Sequence, residues 1–197
     1  MNNEVITEIK KELRANMNGV ASAAMRQTDD YRVNFGIELP RIQQIASEFP
    51  SERQLAQTLW NESVRECKIL ATILMPTTDF DEELCDIWVS EIRTVEMAQI
   101  FALNLMRRLP YVSSKAFEWI SADNTMLQIT GYFTMCHVLR KGEMSERSEE
   151  ELFDQLACDI NASDNSLSKA AVKTLQIFAS LSDDNMNKAK KMADYLF

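Results

Sequence analysis

Four successive stretches of this chain, 51–75, 79–108, 113–141 and 146–181, each pair a strongly amphipathic helical segment with a nearly all-apolar one. That alternation constrains the fold more than any other feature. An all-apolar helix in such a pair finds cover only against neighbouring pairs, so units of roughly 30–40 residues must stack. Turn formers are scarce, with four Gly and four Pro in 197 residues, too few for an all-β chain of this length. The expectation is an all-α helical repeat of about ten helices with no strand.

Stacked pairs of this length fit a HEAT or armadillo-like superhelix. A compact helix bundle is the rival, with less uniform pairing. Residues 2–17 form an amphipathic helix with Val5, Ile6, Ile9 and Leu13 on one face, and Asn18-Gly19 reads as its stop. Residues 20–33 are ambiguous: Val20 to Met25 fits a helix, and Gln27 to Arg32 reads as a polar connection. Phe35-Gly36 is a turn, and Pro40 suits the first helical turn, where its missing N–H has no intrahelical partner. Ser51, with Gln54 three residues on, reads as a capping box. Asn61 or Ser63 caps the next helix, which Pro76 stops near Met75. Later caps are expected at Thr78 or Asp79, Thr94, Ser113 or Ser114, Asp123, Ser145, Asp164, and Asp183 or Asp184, with Gly142 ending the helix through Leu139. The terminal helices are the more charged and suit the ends of a stack. No linker or low-complexity run interrupts the chain, so 1–197 reads as a single domain.

The net charge of −9 excludes a global positive field. The acid is uneven: residues 1–100 carry 10 basic and 17 acidic side chains, and residues 101–197 carry 11 and 13. Cys67, Cys85, Cys136 and Cys158 are widely spaced in apolar helical contexts without a CxxC pair, which gives no zinc or other metal site and suggests buried thiols in a reducing cytoplasm. The amino-terminal residues lack the apolar core of a signal peptide, and no apolar run nears the roughly 18–20 residues that cross a membrane.

The string Phe35-Gly36-Ile37-x-x-Pro40-x-Ile42-x-x-Ile45-Ala46 is followed by Leu59-Trp60-x-x-Ser63-x-x-Glu66-x-Lys68-x-Leu70-Ala71-x-x-Leu74. In order and approximate gap these strings resemble the DNA alkylation repair proteins of the AlkD type. Beyond Leu74 the likeness is one of helix lengths and apolar positions. The resemblance implies HEAT-like repeats, no cofactor, and double-stranded DNA as partner. Members that act as glycosylases release cationic alkylated purines such as 3-methyladenine, using a tryptophan pair, an aspartate and an arginine on a concave surface. Aromatic faces attract the cation, and the carboxylate stabilises the developing oxocarbenium ion or positions water.

On this chain the family's aspartate position falls on Gln99 and the preceding tryptophan on Val95. The later Trp-x-x-Arg stretch falls on Met126-Leu127-Gln128-Ile129, which leaves Gln128 and Ile129 at substituted positions. No residue is therefore assigned a catalytic role. The resemblance implies a divergent, DNA-binding member, an alkylpurine DNA glycosylase only if active, and these positions do not support that activity. The alternative is a non-catalytic helical-repeat scaffold that holds a protein or peptide on its concave face.

Among single residues, Glu96 reads as a first-turn acid favoured by the helix dipole rather than as a displaced catalytic carboxylate. Trp60, Trp88 and Trp119 recur at helical spacing among apolar neighbours and read as core. His137, the single histidine, lies on an apolar helix without a nucleophile at triad spacing. Arg107, Arg108, Arg140, Lys141, Lys169 and Lys173 are the candidate phosphate contacts, weighed against solvated charges at helix ends.

Overall fold

Every regular element among the described residues is a helix. The structure, a computed structural model, describes residues 2–28, 31, 33–142 and 145–197. It divides into two compact units, Met1–Leu105 and Met106–Phe197. The first holds α1 (Asn2–Ala15), α2 (Gly19–Thr28), α3 (Leu39–Ala46), α4 (Arg53–Trp60), α5 (Arg65–Leu74), α6 (Glu82–Ser90) and α7 (Val95–Asn104). The second holds α8 (Val112–Ile120), α9 (Thr125–Lys141), α10 (Glu146–Asp159), α11 (Asn165–Ala179) and α12 (Asp183–Ala193). The four expected pairs are α4–α5, α6–α7, α8–α9 and α10–α11. The sole bridge among the described residues joins Val33 to Val64, so no strand forms there.

In the first unit α5 packs on α3, α4 and α7. Trp60 of α4 and Trp88 of α6 stack with ring centroids 4.3 Å apart and planes 3° from parallel. Phe80 meets Trp88 edge-on at 5.0 Å, and Phe101 of α7 lies 6.1 Å from Trp60. These rings are buried, as the helical spacing of the tryptophans predicts. Gly36 turns the chain with φ at 69°. A Cβ there would lie 2.4 Å from both the Asn18 oxygen and the Ser22 nitrogen, so only glycine lets this turn rest against the start of α2.

In the second unit α9 packs between α8 and α11. Gly131 lets α8 and α9 approach, since a Cβ there would stand 2.8 Å from the Ile120 nitrogen. Across α9 and α11, the Thr174 hydroxyl donates to the Ala170 and Tyr132 carbonyls at 2.9 and 3.2 Å. Trp119 is buried in this core, and Phe153 of α10 meets Phe178 of α11 edge-on at 4.9 Å.

Several helix boundaries differ from the sequence expectation. Gly19 opens α2 rather than closing α1, and the Asn18 side chain accepts the Ala21 N–H at 3.1 Å. Helix continues through Thr28, into the expected polar connection, of which Asp29, Asp30 and Arg32 lie outside the described residues. Ser51 caps no N-terminus. Its hydroxyl donates instead to the Leu74 carbonyl at 2.7 Å, satisfying an end group of α5 that has no helical partner. Neither Asn61 nor Ser63 caps α5: Val64 precedes it, and the Arg65 N–H donates to the Val33 carbonyl at 3.0 Å. Thr77–Asp79 forms a 3-10 turn, which leaves Asp81 to cap α6. Asn124 rather than Asp123 caps α9, and Ser182 rather than Asp183 or Asp184 caps α12. Tyr111 precedes α8 without a side-chain cap. Thr94, Ser145 and Asp164 cap where expected, and α9 ends at Gly142. Cys158 is exposed, whereas Cys67, Cys85 and Cys136 are buried free thiols. No helix is long and apolar enough to cross a membrane among the described residues.

Candidate functional site

The first turn of α5 carries two charged residues into the core. Arg65 is 2% exposed and Glu66 is fully buried. Burial of this kind is tolerated only when every charge is paired and hydrogen-bonded. Glu66 accepts the Phe35 N–H at 3.0 Å, the Ile37 N–H at 3.3 Å and Arg65 Nη1 at 3.0 Å. Arg65 Nη1 also donates to the Ile37 carbonyl at 3.0 Å. Its Nε donates to Glu96 Oε2 at 2.8 Å and its Nη2 to Glu96 Oε1, a bidentate clamp from α5 to α7. Burial alone would lower the Arg65 pKa, and the bonds and charges of Glu96 and Glu66 more than reverse this. Burial raises the Glu96 pKa, but the hydrogen bonds and charge of Arg65 outweigh it and hold the carboxyl below its ordinary value. Glu96 is thus the partner of a buried arginine, neither a free catalytic acid nor a simple dipole-favoured one.

Beside this network the first unit has a cavity of about 350 Å3, lined by Tyr31, Trp60, Arg65, Lys68, Arg93 and Thr94 among others. The Tyr31 and Thr94 hydroxyls lie 2.7 Å apart, and burial pushes the Tyr31 phenol well above its usual pKa. Both aromatic walls carry a cation of the chain itself. Lys68 Nζ sits 4.5 Å from the centre of a Trp60 ring, and the Arg65 guanidinium 5.9 Å from that of Tyr31. Lys68 Nζ also donates to the Trp60 carbonyl at 2.6 Å and lies 3.6 Å from Glu91. Burial lowers the Lys68 pKa, and Arg93 adds to this against the opposing pull of Glu91.

The positions that the sequence resemblance assigns to the family's catalytic residues are split between the units. Val95 is half-buried and Gln99 exposed, both on α7. Gln128 is half-buried on α9, its amide 3.4 Å from the Ile120 carbonyl, and Ile129 is core at 1% exposure.

The second unit gathers the cations. The 3-10 turn Met106–Arg108 packs on α9 and presents Arg107 and Arg108. The end of α9 presents His137, Arg140 and Lys141, and α11 presents Lys173, whose Nζ lies 5.6 Å from the Phe133 ring centre. Five of these are exposed cations, and His137 is half-buried among them. Burial, then the charges of Arg140, Arg107, Lys141 and Lys173, push the His137 imidazole down to about 4. Burial and the neighbouring Arg107 likewise lower Arg108. Lys169 is exposed one turn before Lys173 on α11, and it is not among the charges that act on His137. Among the described residues Arg107, Arg140, Lys141 and Lys173 form no ion pair, so their charge is available to a ligand. Neither Arg65 nor Tyr31 stood out in the sequence; the signal was an Arg-Glu pair opening an otherwise apolar helix.

Paired helices of this kind define a helical-repeat protein, here with an exposed cationic cluster in its second unit. A family model described as DNA alkylation repair enzyme matches residues 9–189, and the chain belongs to that family. One similar solved structure is described as a new family of proteins related to the HEAT-like repeat DNA glycosylases with affinity for branched DNA structures. It matches with a TM-score of 0.87 at 16% identity, over 96% of this chain and 82% of that one. At that identity the likeness is one of fold, an all-α repeat of the HEAT-like kind. No curated protein matches.

Proposed function

We propose that this protein binds double-stranded DNA through the cations around His137 and lacks the alkylpurine glycosylase mechanism of its family. The observation that carries the reading is the convergence of Arg107, Arg140, Lys141 and Lys173 around His137, where their charges add to burial in lowering the imidazole pKa, in a chain whose net charge is −9. An acidic protein that concentrates unpaired cations in one place has a local anion site rather than a diffuse field. Arg108 extends the cluster, and Lys169 supplies a further cation along α11. Family membership favours DNA as the polyanion, and the solved relative's affinity for branched DNA structures makes junctions the form to compare first. Val95, Gln99, Gln128 and Ile129 offer neither the aromatic walls nor the carboxylate and guanidinium that base release requires.

The test is a salt-titrated binding assay with linear duplex and with a four-way junction, paired with measurement of base release from alkylated duplex. Each phosphate contact removed should flatten the log–log salt slope by about 0.9. Arg107→Gln with Arg140→Gln should therefore lower the slope by about 2 and weaken binding at low salt. Unchanged binding by that double variant refutes the assigned surface. Release of 7-methylguanine well above the spontaneous rate refutes the non-glycosylase half of the reading.

A further inference from the structure

The cavity in the first unit has a charge pattern that the DNA-binding reading does not use. Arg65 is fully engaged by Glu66 and Glu96. Of the other charged side chains lining the cavity, Lys68 and Arg93 outnumber Glu91, which stands 3.6 Å from Lys68 Nζ. Arg93 Nη1 donates to the Ser90 and Ile92 carbonyls at 2.5 and 3.1 Å, and among the described residues Arg93 forms no ion pair. The Ser63 hydroxyl also lines the cavity and makes no hydrogen bond among the described residues. Ile92 and Met97 supply apolar wall. The volume of about 350 Å3 lies at the low end of the roughly 300–1,000 Å3 of small-molecule sites.

We propose that this cavity is a phosphomonoester site, with Arg93 and Lys68 as the charged contacts, Ser63 as a neutral donor, and Ile92 and Met97 against the ester's organic part. A guanidinium without a carboxylate partner presents the planar donor pair that phosphate oxygens accept in bidentate fashion. A dianion between Lys68 and Arg93 also offsets their mutual repulsion, which adds to the lowering of the Lys68 pKa by burial. A cationic ligand is disfavoured, because the Trp60 and Tyr31 faces are already covered by Lys68 and Arg65.

Two sources carry this chemistry, a free nucleotide and a phosphorylated DNA end. The probes are 2′-deoxyadenosine 5′-monophosphate against unphosphorylated deoxyadenosine, and a short blunt duplex with and without 5′-phosphates. Amide chemical shifts and calorimetry are the readouts. The duplexes are tested on the Arg107→Gln, Arg140→Gln background, so that loss of DNA binding in the second unit is not confused with loss here. The monophosphate should saturate in the millimolar range or below, shifting amides at 63–68 and 91–97, and the nucleoside should not. Arg93→Gln should weaken binding at least about tenfold, the effect of losing a charge-assisted hydrogen bond. Among the described residues Arg93 bonds to backbone carbonyls alone, so that variant keeps the fold, and Lys190→Gln, an exposed position on α12, should leave the monophosphate affinity unchanged. Strengthening by the 5′-phosphate on the duplex identifies a DNA end as the source, and strengthening confined to the mononucleotide identifies a free nucleotide. Equal binding of nucleoside and nucleotide, no loss in Arg93→Gln, or no binding of either phosphorylated probe overturns the proposal.

Discussion

Replacing Glu66 tests the account of the buried network most directly. The carboxylate is fully buried and accepts three donors: the Phe35 and Ile37 N–H groups and Arg65 Nη1. Charge-assisted hydrogen bonds count for about 1.5–3 kcal/mol each, so a simple sum exceeds about 4.5 kcal/mol. That sum overshoots, because removing the carboxylate also recovers its desolvation cost, and Arg65 keeps Glu96 as a partner. The measured range for breaking a buried pair, about 3–5 kcal/mol, is the better guide for Glu66→Ala. That is a large part of the roughly 5–15 kcal/mol total stability of a domain. Glu66→Gln keeps the shape but loses the charge and turns an NH2 toward backbone donors, so about 2–3 kcal/mol is expected. The assay is urea unfolding at pH 7, followed by near-ultraviolet circular dichroism of the stacked Trp60 and Trp88. Glu62→Gln, which loses a half-exposed pair with Lys10, is the control and should cost less than about 1 kcal/mol. Losses below about 1 kcal/mol in both Glu66 variants would refute the claim that this carboxylate holds the 35–37 turn to α5.

Four further outcomes are expected. Between pH 6.5 and about 4 the unfolded chain takes up a proton at His137 that the folded chain refuses, so the urea midpoint should fall as pH drops through that window, and His137→Gln should flatten the fall. Below about pH 4.5 a second loss follows as the depressed Glu96 carboxyl protonates, and Arg65→Met should remove it. Phosphates bound at the cluster offset the four cations, so saturating duplex should raise the His137 pKa toward 6.5, read from the resonances of the single histidine; an unchanged titration with DNA bound would refute the location. A thiol reagent at neutral pH should label the exposed Cys158 first and Cys158→Ser should abolish that phase, since burial and the charge of Glu62 push the Cys67 thiol up to about 12.

Helix content, the four pairs and the tryptophan core were legible in the sequence because apolar periodicity and proline positions are local signals. Boundaries were less so. Which of Thr78, Asp79 or Asp81 caps α6 depends on whether the residues after Pro76 form a 3-10 turn, and composition alone does not distinguish the three. Ser51 had the pattern of a capping box, yet its hydroxyl serves a carbonyl 23 residues away, a choice made by packing. The same holds for the candidate sites. Arg107, Arg108, Arg140 and Lys141 stood out as basic pairs at helix ends, but their meeting around His137 with Lys173 is a tertiary fact. Arg65 and Glu66 form a charged pair at the start of α5, but that the turn 35–37 and Glu96 enclose them is likewise a tertiary fact.

The motif that carries the family likeness and the cavity beside it serve different ends. Phe35, Gly36, Ile37 and Glu66 hold the turn against α2 and α5 through backbone donors and a buried carboxylate, which is structural work. The cavity wall is where chemistry can change without disturbing that framework. Here the two aromatic faces that line it are covered from within by Lys68 and Arg65. An incoming cationic base would have to displace a lysine bonded to the Trp60 carbonyl and an arginine clamped by two carboxylates. Removing either costs a buried hydrogen bond or ion pair, more than the roughly 0.5–2 kcal/mol a cation gains from an aromatic face. Placing a tryptophan at Val95 and an aspartate at Gln99, the positions to which the sequence resemblance assigns them, would therefore not by itself admit an alkylated purine to this cavity. Lys68 must go as well, and a Val95→Trp, Gln99→Asp variant that releases alkylated bases with Lys68 intact would show this reasoning to be wrong.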